Sequence, residues 1–176
     1  WNENVSSCHL YIGQDVNRSM DKPDLGGEAD QLKSKLQACR MAPNIQGVCW
    51  WPAYSISDNY KGVADRLRTE LHKSVAIVPE YTWLCADKPS APASVRVSSG
   101  ILRWDVPKAS RSVNDAVRFV VYRFDTDKKV NLDDASAIVA VTNSRELKIA
   151  TPGVYIVTAL NRVNIESESS AKVRVK

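Results

Sequence analysis

The chain is poor in the residue types that usually declare a chemistry. Among its 176 residues it has two histidines, His9 and His72, and four cysteines, with no CxxC pair and no Cys/His spacing suited to a metal. The histidines fall in an expected strand and an expected helix, without the partner pattern of a triad. Its seven glycines form no phosphate loop and no nucleophile elbow, and the Gly26-Gly27 pair is too isolated to be either. No cofactor is therefore expected. No apolar run approaches the ~18–20 residues that span a bilayer. The chain starts at Trp1, with no initiator Met and no basic-then-apolar leader, which leaves the compartment open.

Basic runs are also missing. Residues 1–87 hold nine Lys and Arg against eleven Asp and Glu, a balance of −2; residues 88–176 hold fifteen against nine, a balance of +6. The basic residues of the second half, such as Arg96, Arg103, Arg118 and Arg123, sit singly among apolar residues. They read as solvent-facing strand positions and not as a nucleic-acid track. The cysteines Cys8, Cys39, Cys49 and Cys85 read as free, small apolar side chains, with Cys8 and Cys49 inside buried strands and Cys39 on a helix. A Cys39–Cys49 disulfide stays open.

The composition is that of an ordinary globular protein, with 44% hydrophobic and 25% charged residues. The first half alternates strand and helix. Cys8 to Gly13 is a short, mainly apolar run that suits a buried parallel strand. A polar segment, Gln14 to Gly27, precedes a helix from Glu28 to Met41, with Leu32, Leu36 and Cys39 on one stripe. Gln46 to Trp51 is a second strand, closed by Pro52. A loop to Asn59 follows, then a helix from Tyr60 to Lys73 with Val63, Leu67 and Leu71 inward. Either Asp58 or Asn59 can cap it. The apolar knot Val75 to Pro79 is expected to tuck back under the sheet. A strand ending in two tryptophans, then a loop, then a helix is the unit from which (β/α)8 barrels build active sites at the carboxyl ends of their strands. Two such units fit the tail of a barrel.

Composition changes at Asp87-Lys-Pro-Ser-Ala-Pro92, which reads as a linker. The expected domains are thus 1–87, a barrel segment, and 88–176. In the latter, 93–97, 101–106, 117–124, 137–142, 146–150, 154–161 and 171–175 are seven candidate strands, the pattern of a β-sandwich. The expected fold class is α/β plus all-β.

Two resemblances follow from these residues. Pro92-Ala-Ser-Val-Arg-Val97, Leu102-Arg-Trp104, Phe119-Val-Val-Tyr-Arg123 and Gly153-Val-Tyr-Ile-Val-Thr-Ala-Leu-Asn161 resemble, in order, a fibronectin type III domain. That likeness implies that Trp104 and Tyr155 are core markers. Leu10-Tyr-Ile-Gly-Gln-Asp-Val16, Ile45-Gln-Gly-Val-Cys-Trp-Trp51 with Asp58-Asn59, and Val75-Ala-Ile-Val-Pro79 resemble the last two strands and closing segment of the glycosyl-hydrolase-like ten family, TIM-barrel proteins of the bacterial envelope. Relative to the ~250 residues of a barrel, about six βα units are missing.

In a barrel, side chains just beyond each strand face the mouth. Beyond the first strand these are Gln14, Asp15 and Arg18; beyond the second, Trp50, Trp51, Tyr54, Ser55 and Asp58. Glycoside hydrolysis needs two carboxyl groups, while aromatic faces suit sugar rings. Asp15 is the candidate catalytic carboxylate; its plain alternative is a loop Asp holding backbone amides. Gln14, Arg18, Trp50, Trp51, Tyr54 and Asp58 are the candidate substrate-binding residues, with Asp58 also readable as a helix cap. Neighbours in a strand face opposite ways, so at most one of Trp50 and Trp51 meets the mouth and the other packs under the helices. Asn4-Val-Ser6 and Asn17-Arg-Ser19 match the glycosylation pattern, as chance matches.

The resemblance implies an extracytoplasmic glycoside hydrolase, a lipoprotein of the envelope, acting on peptidoglycan or another polysaccharide. This chain would be its C-terminal part, inactive alone. The alternative is a non-catalytic envelope scaffold whose fibronectin-like module docks partners. An open strand edge offers a route to self-association.

Overall fold

The computed structural model describes residues 2–5 and 8–176. Two compact units emerge, Trp1–Lys73 and Ser74–Lys176. The first is built on two parallel strands, β1 (Leu10–Asp15) and β2 (Ile45–Trp51). Helix α1 (Val16–Asp21) follows β1 directly. Helix α2 (Leu32–Met41) precedes β2, and α3 (Ala53–Ser57) and α4 (Val63–Arg66) follow it. Among the described residues, the outer edges of both strands are unpaired.

One face of this sheet looks onto the helices. Gln14 Nε2 reaches Cys39 Sγ of α2 at 3.7 Å, and Trp50 packs on a core of Val16, Met20, Leu32, Val63 and Leu67. Each of those side chains, fully buried, contributes on the order of 1.5–3 kcal/mol. The other face carries Tyr11, Gly13, Asp15, Gly47, Cys49 and Trp51, in the cross-strand pairs Tyr11–Gly47, Gly13–Cys49 and Asp15–Trp51.

Several expectations change. The polar stretch after β1 contains α1, because Asp15 caps it and Val16, Ser19 and Met20 give a short buried stripe. The second helix starts at Leu32, not Glu28: the Asp24 carboxylate takes the Gly26 and Glu28 amides into a turn, and Asp30 takes that of Leu32. The expected helix 60–73 is broken. Asn59, Lys61 and Gly62 all have positive φ, so α4 starts at Val63, and a wider π-type turn (Leu67–Leu71) completes it. His72 therefore ends that turn and lies outside a regular helix, while His9 precedes β1. Cys8 and Cys49 are exposed, contrary to expectation: Cys8 lies before β1, and Cys49 stands on the face of the sheet turned away from the helices. All four cysteines are free. Cys39 and Cys49 lie on opposite sides of the sheet, which rules out a bridge between them in this fold.

The second unit has two antiparallel sheets. One has the strand order β3 (Ala93–Ser98), β4 (Ile101–Asp105), β7 (Glu146–Lys148); the other β6 (Ile138–Thr142), β5 (Arg118–Phe124), β8 (Gly153–Leu160), β9 (Val173–Val175). These seven strands fall within the seven candidate segments to within two residues at each end. Leu102 and Trp104 of β4 share one core with Phe119 and Val121 of β5 and Tyr155, Val157 and Ala159 of β8. A second core lies on the far face of the same sheet, where Val120, Tyr122, Phe124, Val154, Ile156 and Leu160 meet Ile77, Val130 and Leu132. β5 and β8 are thus buried on both faces, which is why they read as continuous apolar runs and not as alternating ones.

Residues 74–87 are accordingly part of this second unit. The Val75–Pro79 knot does not close the parallel sheet: Ile77 packs on the second core, and Tyr81 N–H donates to Val163 O at 2.8 Å. The stretch read as a linker is tied down as well. Asn161, fully buried, donates from Nδ2 to Asp87 O and Asn114 Oδ1, and Asn114 Nδ2 donates to Lys88 O. No helix among the described residues is long and apolar enough to cross a membrane.

Candidate functional site

The carboxyl ends of β1 and β2 lie side by side, because the strands are parallel and in register from Tyr11–Gly47 to Asp15–Trp51. Asp15 ends β1 and Trp51 ends β2, and both belong to the open face. Trp51 stays 50% exposed, while Trp50 turns inward, so the two tryptophans separate between surface and core as strand geometry requires.

Glycines shape this face. A Cβ at Gly47 would sit 3.0 Å from Tyr11 Cδ1, so the Tyr11 ring lies directly against the bare backbone of the neighbouring strand. At Gly13 the same atom would meet Trp51 Nε1 at 3.5 Å, an ordinary contact. The outcome is a surface of two half-exposed rings that also carries Cys49 and the strand-end Asp15, with the His9 ring edge-on to Tyr11 at 6.1 Å. Aromatic rings laid flat and left partly exposed are suited to the apolar faces of planar or ring-shaped ligands.

Asp15 has a structural duty. Its Oδ1 accepts the Arg18 N–H at 3.0 Å and caps α1, while Ser19 Oγ–H donates to Asp15 O. Arg18 is exposed in the first turn of that helix. Tyr54, 62% exposed, stands at the start of α3, directly after Trp51 and Pro52. Ser55 is buried and donates to Asn17 Oδ1 at 2.6 Å, which ties the starts of α1 and α3 together. Asp15, Arg18, Trp51 and Tyr54 therefore gather at the strand ends. Gln14 and Trp50 point to the helical side. Asp58 is not an N-cap: it closes α3 at its C-terminus, and Asn59 Oδ1 instead takes the amides of Ala64 and Asp65. Left-handed backbone at Asn59 (φ 51°) turns its amide onto α4, a conformation Asn tolerates.

Tyr11 was not among the sequence candidates. Its signal was present in the alternation Tyr11-x-Gly13-x-Asp15, which puts all three on one face. In the Asn17-Arg-Ser19 pattern Ser19 is fully buried and Asn17 Oδ1 accepts from Ser55 Oγ. Ser6 of the other pattern lies outside the described residues.

Trp50 Nε1–H donates to His72 Nε2 at 3.2 Å, with the rings edge-on at 6.3 Å. Burial, and then the Arg40 guanidinium, hold the His72 imidazole below its ordinary value of 6.5. At the far end of α1 the Asp21 carboxylate accepts from Lys61 Nζ at 2.6 Å and Tyr60 Oη at 2.7 Å, and these bonds hold it below the usual carboxylate range. Among the described residues no group of three or more His, Cys, Asp or Glu is placed to hold a metal. The second unit carries a cleft of about 650 Å³ lined by Arg123, Asp127, Lys128, Gly153 and Arg174.

No family model matches the chain. It is similar to the glycosyl hydrolase YngK of Bacillus subtilis (strain 168), with 23% identity over 187 aligned positions. That similarity takes in 98% of this chain but 36% of YngK, so the chain spans about a third of the relative's length. The chain is thus distantly related to a glycosyl hydrolase. A solved structure described as a myokine matches 51% of this chain and 97% of its own, at 21% identity and a TM-score of 0.34, and at that score carries no structural argument.

Proposed function

We propose that this chain is the C-terminal part of a longer bacterial glycoside hydrolase acting on a cell-wall or other polysaccharide. The observation that carries the reading is the pairing of a carboxylate, Asp15, with an exposed indole, Trp51, at the shared carboxyl end of two parallel strands. That is where barrel enzymes assemble their sites. The relationship to YngK over nearly the whole chain supports the same class. On this reading the first unit supplies the last two βα units of a (β/α)8 barrel, and the open edges of β1 and β2 pair with strands from the rest of the parent. Asp15 is the only carboxylate that ends β1 or β2. The second carboxyl group that glycoside hydrolysis requires then comes from outside this chain, which alone is inactive.

The second unit we read as a fibronectin type III-like sandwich. Buried Trp104 and Tyr155 support this, as does the Tyr155 hydroxyl, which donates to Thr151 O at 2.6 Å, four residues upstream. That bond has the form of the tyrosine corner of such sandwiches. We further read the parent as lying outside the cytoplasm, in the envelope, as the resemblance in the sequence implies. The test is to assay the parent and this chain on a panel of polysaccharides and peptidoglycan. Cleavage by the parent alone is the expected result; a parent that neither cleaves nor binds any glycan sinks the proposal.

One observation favours a second reading, a non-catalytic glycan-binding or scaffold protein: the Asp15 carboxylate is already engaged as a helix cap. A parent that binds glycan through Trp51 and Tyr11 without cleaving it would fit that reading.

A further inference from the structure

Trp50 is the residue through which the end of β2 grips the helical layer. Its ring packs on the core formed by Val16, Leu32 and Val63, and its indole N–H donates to His72 Nε2 at 3.2 Å. An imidazole nitrogen accepts only when it carries no proton, so this bond needs neutral His72 with its proton on Nδ1. In imidazolium both ring nitrogens are donors. Nε2–H would then face the indole N–H, and the bond could not persist.

The surroundings favour the neutral ring. Arg40 reaches over from α2, donates to Leu71 O at 2.5 Å, and brings a fixed positive charge beside His72. On the ring's own segment stand Arg68, Glu70 and Lys73. Of these, Arg68 pairs with Asp65, and Glu70 pairs with Arg66 at 3.6 Å, which draws its charge toward α4. No carboxylate from another element is paired with the ring among the described residues.

We propose that His72 is a positioning residue for the Trp50–Trp51 strand end and acts as a proton-released latch. Neutral His72 fixes the Trp50 indole. Because Trp51 is the next residue of the same strand and Pro52 leads straight into α3, fixing Trp50 also fixes the backbone from which the Trp51 ring is presented. Protonation in mildly acid solution frees Trp50 and loosens that presentation. The latch stands on its own geometry; only its consequence for ligand binding rests on the glycan reading above.

The test is the pH dependence of the indole N–H resonances of the whole 176-residue chain, whose five tryptophans give five indole signals, with Trp50 assigned from Trp50→Phe. The expected result is that the Trp50 signal moves upfield as pH is lowered through the His72 titration, with a midpoint below 6.5, and that Trp51 follows with the same midpoint. In His72→Gln the side-chain amide oxygen accepts at every pH, so the Trp50 signal should hold still between about pH 5 and pH 8. A Trp50 signal that is flat in the natural chain, or that still titrates in His72→Gln, overturns the latch. In the parent protein, binding of soluble peptidoglycan fragments should weaken over the same pH range and become pH-independent in His72→Gln. Titrating indoles in a parent that binds no glycan would overturn the glycan reading and leave the latch intact. Glycan binding with static indoles would do the reverse.

Discussion

The Tyr11 ring lies against Gly47 so closely that a Cβ on Gly47 would come within 3.0 Å of it. Glycine in a strand normally weakens it, and alanine should do better. Here the neighbour decides. Gly47→Ala forces the Tyr11 ring or the strand to shift, at an expected cost of about 1–3 kcal/mol, the usual range for overpacking. Gly13→Ala, whose added carbon meets Trp51 at 3.5 Å, should be neutral or slightly stabilising. Denaturant unfolding of the two variants checks the contrast. Equal midpoints would show that the ring is not held where it lies.

Asp15 has two readings that one pair of substitutions separates. Asparagine caps a helix about as well as aspartate, while alanine loses about 1 kcal/mol. Asp15→Asn should therefore keep the thermal stability of the chain, and Asp15→Ala should lower it. If Asp15 also works on substrate, Asp15→Asn in the parent should lose activity, by 10²-fold or more for an acid/base group, with its melting temperature unchanged. Activity that follows stability in both variants would leave Asp15 a cap and nothing more.

The two units were unequally legible in the sequence. Strands such as 118–124 and 153–160 were readable because their apolar runs are bounded by turn residues. The buried stripe Leu32, Leu36 and Cys39 was readable because it keeps the helical period. The break at 59–62 was not, since the left-handed backbone at Lys61 leaves no mark in a residue type that usually avoids it. The role of 74–87 was hidden for a related reason. Its attachment depends on Asn161 and Val163, some eighty residues away, and local composition carries no trace of them. In the candidate site, strand alternation sorted Trp50 from Trp51. It also placed Gln14 on the helical side, an implication that goes unnoticed if strand ends are treated as pointing wholly toward a mouth.

Asn161 is the clearest single tie in the second unit. Its Oδ1 accepts the Val163 and Ile165 amides at 3.0 and 2.9 Å, and its Nδ2 serves Asp87 O and Asn114 Oδ1. Asn161→Ala leaves two backbone donors without that acceptor, inside a site with no room for free exchange with water. Each orphaned group costs about 1–3 kcal/mol, so a total of about 2–4 kcal/mol is expected after partial relaxation. Hydrogen exchange should show the Val163 and Ile165 amides losing protection first. Unchanged protection at both would show that the bonds contribute little.

Tyr122 gives the second unit a limit at alkaline pH. The ring is fully buried, and its hydroxyl donates to Glu166 Oε1 at 2.7 Å, an oxygen that Thr158 Oγ–H also serves. Burial first, and then the bond to Glu166, push the phenol well above its ordinary value of 10.0. The sign follows from proton linkage. Below pH 10 both folded and unfolded chains keep this proton, and its contribution is fully present. Above that, the unfolded chain gives the proton up while the folded one retains it, so stability falls as pH rises toward the folded value. Tyr122→Phe removes the titration. It should cost about 1–2 kcal/mol at neutral pH through the lost bond to the carboxylate, yet show a shallower loss of stability above pH 10 than the natural chain. Phenolate absorbance supplies the direct check: of the six tyrosines, Tyr122 should resist ionisation until the chain unfolds, alongside Tyr155, whose buried phenol is also raised; Tyr122→Phe should remove one of these late-ionising rings. If all six ionise together before unfolding, the Tyr122 hydroxyl is not held by Glu166 in this way.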